Sequence, residues 1–200
     1  MKDMSLDIVN NTWIKTTPIG RGTAIEHFTR YIFAAKLLKG TILDAGCGTG
    51  FGAFFLSHFA DKIIGVDYDK EALAIAKKNW SNDNIKYIYK DLNMFDLDGY
   101  DNFVMFECLE HLSNPIDVLA KLKKGLNKDG VGIVSIPVNL PDPYHKIVYK
   151  SLHEMATVIG SVFDRYDVYY QIMNHVFHYD LTEIIQKTTP SFVIFIGKSS

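Results

Sequence analysis

The sequence lacks several features that would narrow its class at once. Its 200 residues include two cysteines, Cys47 and Cys108, too few for the disulfide framework of a small secreted domain. Twenty-one basic residues stand against 23 acidic ones, so the basic surplus typical of nucleic-acid-binding proteins is missing. No apolar run approaches the roughly 20 residues of a membrane span. We therefore expect a cytoplasmic protein whose partner is neither a nucleic acid nor a bilayer.

The remaining composition is that of one globular domain over residues 1–200. Hydrophobic residues make up 48% and charged residues 22% of the chain, which is ordinary for a folded domain. Residues 1–20 are polar and weakly periodic, so we expect an irregular arm, and their sequence lacks the apolar core of an export signal. A ligand-binding core is expected over residues 21–136. A substrate-side connection and C-terminal strands are expected over residues 137–200.

Helical and strand-type patterns alternate along this chain. The strand patterns cover residues 41–45, 62–67, 85–91, 100–107, 131–137, 163–171 and 191–197. The helical patterns cover residues 23–40, 51–59, 69–80, 114–130, about 150–160, and 181–187, and Asp69 and Asn114 are placed to cap two of them. The alternation predicts an α/β fold with a doubly wound, seven-stranded, mostly parallel sheet whose last strand is antiparallel.

Four of the predicted strands end in an acid, namely Asp44, Asp67, Asp91 and Glu107. The carboxyl ends of parallel strands meet at one edge of the sheet, and ligands of open α/β sheets bind beyond that edge. Acids are common in loops, so chance explains one or two of them more easily than all four. The pattern predicts an acidic rim around the ligand site.

A glycine-rich loop follows the first strand in "TILDAGCGTGFGAFF", residues 41–55. Its "GTGFGA" matches the dinucleotide fingerprint, with Asp67 at the distance of a ribose-binding acid. However, the carboxylate of Asp44 would repel a pyrophosphate at the mouth of this loop. S-adenosylmethionine (SAM) has no phosphate and carries a sulfonium and an ammonium, so an acid would bind it favourably. Both ligands remain candidates from these residues, and the charge favours SAM.

Four segments together resemble the motifs of class I SAM-dependent methyltransferases. "LDAGCGTG" resembles motif I, "GVDYD" the second motif, "KDLNMF" the third and "YDNFVMFECLEHLSNP" the fourth, and the likeness covers roughly residues 20–137. "IEHFTRYIFAAKLLKG" and "SIPVN…PYH" are similar to small methyltransferases of polysaccharide and sugar synthesis. The Glu-His pair after the fourth strand is shared with ubiquinone-type methyltransferases, so both subgroups stay open.

The resemblance implies a set of cofactor-binding residues. The methionine end of SAM would be held by Asp44, Gly46, Gly48 and Gly50, with the backbone of Phe106 and Glu107 beside it. The adenosine would be held by Asp67 on the ribose, Tyr68 against the adenine, and Asp91 with the backbone N–H of Leu92 on the adenine amino group. Tyr31, on the preceding helix, would close the pocket.

The acceptor is expected to be a small molecule, for example through a hydroxyl of a sugar or another small metabolite. "FECL" stands where enzymes that methylate amide or adenine nitrogens carry an N-P-P-Y-type motif. His111 is the candidate base, because histidine titrates near neutral pH and this one follows the fourth strand closely, and the nearby Glu107 and Glu110 are placed to hold its ring. Tyr144 and His145, in the proline-rich connection over residues 137–152, are candidate substrate-binding residues.

Three functional classes remain after this reading of the sequence. A SAM-dependent methyltransferase is favoured, an NAD-type oxidoreductase is the second, and a SAM-binding protein without catalysis is the third. We expect no metal site, because His175 and His178 form a pair without further ligands of defined geometry. The sequence leaves the oligomeric state open.

Overall fold

A computed structural model describes residues 21–178 and 190–199 of the chain. Within these residues, helices α1 to α5 cover Arg21–Leu37, Phe51–Leu56, Lys70–Asn79, Pro115–Gly125 and Leu152–Gly160. Strands β1 to β8 cover Thr41–Ala45, Lys62–Asp67, Ile85–Tyr89, Tyr100–Phe106, Leu126–Pro137, Tyr166–Ile172, His175–His178 and Phe192–Lys198. The N-terminal arm and the helix predicted at 181–187 lie outside the described residues.

The strands form one sheet in the order β3-β2-β1-β4-β5-β8-β6-β7. Strands β1 to β5 pair in parallel, whereas β8 is antiparallel to β5, β6 to β8, and β7 to β6. The predicted α/β class and mostly parallel sheet are confirmed. The sheet described here has eight strands rather than seven, because the four-residue β7 is too short to show an alternating pattern.

The strand order reverses at β1, which pairs with β2 on one side and with β4 on the other. A cleft opens beyond the carboxyl ends of strands at such a reversal, because the connections that follow them leave on opposite faces of the sheet. The glycine-rich loop follows β1, and the "ECLEHL" segment follows β4. The topology therefore places both segments at one cleft.

Helices cover both faces of the sheet. On one face, α1 and α2 pack their apolar side chains, such as Ala34 and Leu56, against the strands. On the other face, α4 and α5 do the same with side chains such as Leu119 and Ile159. No helix in the described part of the chain is long and apolar enough to cross a membrane.

The ends of two helices test the predicted capping. Asp69 caps α3 as predicted, since its carboxylate accepts hydrogen bonds from the amides of Glu71 and Ala72 at 2.8 and 3.2 Å. Asn114 precedes α4 without a side-chain capping bond, so that expectation was wrong. The helix predicted to reach residue 130 ends at Gly125, because Leu126 already pairs with Tyr100 in the sheet.

Candidate active site

The glycine-rich loop turns sharply because its glycines adopt left-handed backbone angles. Gly48 has a φ of 51°, and a Cβ added there would meet no described atom within 4 Å. Gly50 has a φ of 85°, and a Cβ there would lie 2.5 Å from Ala76 and 2.6 Å from the Tyr87 hydroxyl. Gly48 therefore leaves room for a ligand beside the backbone. At Gly50 a side chain would clash with neighbouring residues, so glycine there allows the loop to pack against them.

Asp44 lies beneath this loop and is fully buried. The hydroxyl of Tyr31 donates to both of its carboxylate oxygens at 3.3 Å. The pKa of Asp44 is raised to about 7, mainly by burial; the hydrogen bond from Tyr31 opposes this shift, and the charge of Asp67 adds a smaller contribution to it. Asp44 does not line the cavity described below, whereas Tyr31 does. Tyr31 therefore both contacts the carboxylate and lines the cavity.

Asp67 ends β2 and fixes the conformation of the loop. One carboxylate oxygen accepts from the amide of Gly48 at 2.7 Å, and the other accepts from the amide of Asp69 at 2.9 Å. The predicted adenine-side residues follow nearby: Tyr68 is 72% exposed, and Asp91 accepts two bonds from Asn93 at 2.8 Å. Asp67 and Asp91 therefore have structural roles in addition to any contact with a ligand.

Glu107 follows β4 with a φ of 51°, an uncommon angle for a residue with a side chain. Its Oε1 accepts from the Ser135 hydroxyl at 3.1 Å and lies 3.9 Å from the guanidinium of Arg30. Arg30 is fully buried, donates to Gln171 at 3.0 Å and lies 4.1 Å from the Phe192 ring centroid. Burial raises the pKa of Glu107, and Arg30 opposes that shift.

A second group of polar side chains lies after β4, where Glu110, His111 and His145 converge. Glu110 is 1% exposed, and its Oε1 lies 3.9 Å from Nε2 of His111 and 4.0 Å from Nε2 of His145. The two imidazole rings meet edge to face with centroids 4.8 Å apart. We call these three residues the Glu-His-His cluster.

The connection after β5 holds this cluster together. The backbone carbonyl of Glu110 accepts from the amides of Lys146 and Ile147 at 2.9 and 3.1 Å. Asp142 forms a turn by accepting from the amide of Tyr144 at 2.9 Å, and the amide of His145 donates to its carbonyl at 3.0 Å. This turn places His145 over Glu110, although the two residues are far apart in the chain.

One cavity of about 650 Å³ joins these elements, a volume typical of small-molecule sites. The predicted site residues along its wall are Tyr31, Gly46, Gly48, Asp67, Tyr68, Asp91, Leu92, Phe106, Glu107, His111 and Tyr144. The predicted site residues Asp44, Gly50 and His145 are not among those that line the cavity. The cavity runs from the glycine-rich loop to His111 and to Tyr144, which is 81% exposed.

The sequence analysis missed two residues of this region, His27 and Arg30, and it did not predict that Glu110 is buried. His27 lines the cavity from α1. Burial, and to a smaller extent the positive charge of Arg30, lower the pKa of His27 to about 3. Arg30 is buried behind Glu107, and Glu110 anchors the Glu-His-His cluster. Single charged residues on a helix or after a strand are usually exposed to solvent. The residue types alone therefore did not indicate that these side chains are buried. For Glu110, the adjacent His111 was the available hint.

Both thiols are reduced in the structure. Cys47 and Cys108 line the cavity near Gly46, and burial raises the pKa of each well above its usual value. Neither is therefore suited to act as a nucleophilic thiolate. His175 and His178 lie on β7, away from the cavity, and the ring of His178 packs against Tyr169 with centroids 5.0 Å apart.

Comparison with known proteins agrees with this geometry. Residues 42–130 match a family described as a methyltransferase domain. This match, the curated relatives and the fold together support assignment to the class I SAM-dependent methyltransferase family. A SAM-dependent methyltransferase from Thermotoga maritima has the same fold, with a TM-score of 0.68 at 18% identity over 90% of this chain and 94% of that one. The family favours SAM over a dinucleotide as the ligand.

Two curated relatives of this chain have names that refer to different substrates. A ribosomal protein L11 methyltransferase from Thermosipho africanus is 30% identical over 61% of this chain and 49% of its own length. A ubiquinone biosynthesis O-methyltransferase from Actinobacillus pleuropneumoniae is 25% identical over 45% of this chain and 42% of its own. The chain spans between 37% and 54% of the length of the curated relatives it matches first.

The cavity fits the cofactor that the family implies. Gly48 leaves space for a ligand against the backbone, and Asp67 and Tyr68 line the same wall. Acids at the end of the cavity near the loop suit a ligand that carries positive charge. The buried carboxylate of Asp44, with its raised pKa, would be stabilised by such a charge.

Proposed function

We propose that this protein transfers a methyl group from SAM to a hydroxyl of a small molecule, such as a sugar or another small metabolite, in the cytoplasm. The observation that carries the proposal is the single cavity that runs from the cofactor residues to His111 and Tyr144. One end has the glycine-rich loop and Asp67. The other end has an imidazole and an exposed aromatic ring within reach of an acceptor.

In this proposal the cofactor-binding residues act by positioning. The backbone of Gly46 and Gly48 and the carboxylate of Asp67 would bind the cofactor, and Tyr31 would cover its methionine end. When bound, SAM supplies a methyl group on a sulfonium that is already activated for displacement. Holding two reactants in the geometry of attack lowers a barrier by about 7–11 kcal/mol, so the main task of the protein is to orient the acceptor.

His111 would remove the proton of the acceptor. Its Nδ1 lies 3.1 Å from the carbonyl oxygen of Tyr144, so the neutral ring donates there and keeps its lone pair on Nε2. The acceptor hydroxyl gives its proton to that lone pair, and its oxygen forms the bond to the methyl carbon. The electron pair of the broken carbon–sulfur bond remains on sulfur. A general base of this kind contributes about 10²–10⁴-fold in rate.

A tritiated-methyl transfer screen tests the proposal. Purified protein is incubated with labelled SAM and panels of sugar nucleotides, phenols, quinone precursors and amines, with ribosomal protein and RNA as further panels. Label in a hydroxyl compound supports the proposal. Label in protein, RNA or amines would overturn the acceptor class. Binding of S-adenosylhomocysteine without transfer to any panel would favour the SAM-binding protein without catalysis.

His111→Asn tests the proton acceptor. This change should lower kcat by about 10²–10⁴-fold and leave the affinity for S-adenosylhomocysteine nearly unchanged. His153→Ala, at an exposed position on α5, is the matched control. Normal turnover by folded His111→Asn protein would exclude the role of His111.

A further inference from the structure

The Glu-His-His cluster places three electron-pair donors together without a cation between them. One ligand atom from each of Glu110, His111 and His145 lies within 4.8 Å of the others. Within the described residues, neither side-chain oxygen of Glu110 has a hydrogen-bond partner. A buried carboxylate without a partner is costly, and a structure normally provides it with a charge or donors.

The two imidazoles are oriented with their lone pairs toward Glu110. Nδ1 of His111 lies 3.1 Å from the carbonyl oxygen of Tyr144, and Nδ1 of His145 lies 2.9 Å from that of Leu140. A carbonyl oxygen can accept but cannot donate, so each neutral ring carries its proton on Nδ1. Nε2 of each ring then carries a lone pair and faces Oε1 of Glu110. The cluster therefore brings together three acceptors, one carboxylate oxygen and two imidazole nitrogens.

A proton shared within the cluster does not explain this arrangement. A hydrogen bond between an imidazole nitrogen and a carboxyl oxygen requires a separation near 2.7–3.2 Å, whereas the two separations here are 3.9 and 4.0 Å. Ligand atoms about 2.1 Å from one metal ion stand roughly 3.0–3.5 Å apart. The two carboxylate–imidazole pairs would need to approach by about 0.4–1 Å, and the widest separation in the cluster, within 4.8 Å, by up to about 1.8 Å, to hold an ion between them.

We propose that Glu110, His111 and His145 bind a divalent transition-metal ion at the edge of the cavity. Two imidazoles and one carboxylate suit Zn²⁺, Mn²⁺ or Fe²⁺ better than Mg²⁺ or Ca²⁺, which prefer oxygen ligands. The bonds from Nδ1 to backbone carbonyls are those that fix ligating histidines in metal sites. His111 lines the cavity, so an ion held by these residues would lie at the edge of the space that an acceptor could enter.

Such an ion would change how the acceptor hydroxyl is activated. A bound metal lowers the pKa of an oxygen that it coordinates, so the acceptor proton leaves to water and the oxygen stays on the ion as it attacks the methyl carbon. The lone pair of His111 is then occupied by the metal and cannot also accept the proton. This use of the metal rests on the proposed methyl transfer and takes the place of His111 as proton acceptor, whereas binding of the metal does not depend on that transfer.

Metal binding by the full chain is measured first without any cofactor. Protein treated with EDTA and dialysed is titrated calorimetrically with Mn²⁺ alone and Zn²⁺ alone. We expect one equivalent to bind, and a loss of affinity of about 100-fold or more in Glu110→Gln and in His145→Gln. His153→Ala should bind as wild type does. The metal should also raise the thermal midpoint of wild type and not of the two ligand variants.

The outcomes separate this inference from the proposed function. Absence of stoichiometric Mn²⁺ or Zn²⁺ binding in folded wild type, or unchanged affinity in both ligand variants, would overturn the metal site. If one variant does not fold, the other carries the comparison. Methyl transfer that persists in EDTA would leave the proposed function standing and refute the metal's part in it. Metal binding without methyl transfer to any acceptor would leave the metal site standing and overturn the proposed function.

Discussion

Replacing Asp44 with asparagine isolates the cost of a buried carboxylate beside the glycine-rich loop. The side chain is fully buried, and its pKa in the folded protein is about 7. The pKa of an aspartate in an unfolded chain is about 3.9. A difference of about three pKa units, at 1.36 kcal/mol each, corresponds to about 4 kcal/mol of folding free energy that depends on pH.

The sign follows from which state binds the proton more tightly. The folded pKa is raised, so between about pH 4 and pH 7 the native state holds more protons than the unfolded state. The contribution of Asp44 to the free energy of unfolding therefore falls as pH rises through this window and is constant above it. Asparagine keeps the shape and can still accept from Tyr31, but it does not titrate, so this dependence should disappear.

Urea denaturation of both proteins between about pH 5 and pH 8 measures the effect. Other titrating groups are present in both proteins and largely cancel in the difference. The stability of Asp44→Asn relative to wild type should rise by about 2.5 kcal/mol across this range, the part of the window that it covers. A difference that stays flat from pH 5 to pH 8 would show that Asp44 is ionised at all these pH values and refute the reasoning.

Three further substitutions test the geometry of the cavity. Asp67→Ala should weaken binding of S-adenosylhomocysteine by about 1.5–3 kcal/mol in calorimetry, because the carboxylate also holds a loop amide 2.7 Å away; unchanged affinity would contradict its place in the site. Tyr144→Ala should raise the KM for the acceptor and leave cofactor affinity constant, since the ring is exposed at the far end of the cavity; the opposite pattern would mean that the connection was misinterpreted. Gly52→Ala should cost about 1–3 kcal/mol in urea denaturation, because the new Cβ would lie 1.8 Å from the Tyr31 ring. Gly160→Ala is its control, with the nearest atom at 3.5 Å.

Features with a local signature in the sequence were the predictable ones. The alternation of strands and helices, the turn after β1 and the cap at Asp69 each depend on neighbouring residues, and the structure has them. The two predictions that failed, the number of strands and the end of α4, concern features without such a local signature. Strand β7 is four residues long, and α4 ends where Leu126 pairs with a strand that lies more than twenty positions earlier. Pairing between distant segments overrides a local helical pattern.

The charges around the cavity were harder to predict, because burial is decided by distant contacts. Arg30 is held by Gln171, 141 positions away, and Glu110 is covered by a turn that contains His145. From sequence alone each of these residues has the type of a solvated surface group. The proline-rich connection was predicted to belong to the site, but its sequence does not show that it folds back onto the carbonyl of Glu110.

Three acids near the cavity have raised pKa values, and each differs in what offsets its charge. Glu107 faces the guanidinium of Arg30, a cation that the chain supplies itself. Asp44 has the hydroxyl of Tyr31, which is neutral, so a positively charged ligand beyond that ring would offset the remaining cost. Glu110 faces two lone pairs and, among the described residues, no hydrogen-bond donor. A cofactor with an ammonium group suits the second acid, and a divalent ion suits the third. Metal binding and cofactor binding would then depend on different carboxylates. Glu110→Gln should therefore weaken metal binding about 100-fold or more and leave the affinity for the cofactor unchanged.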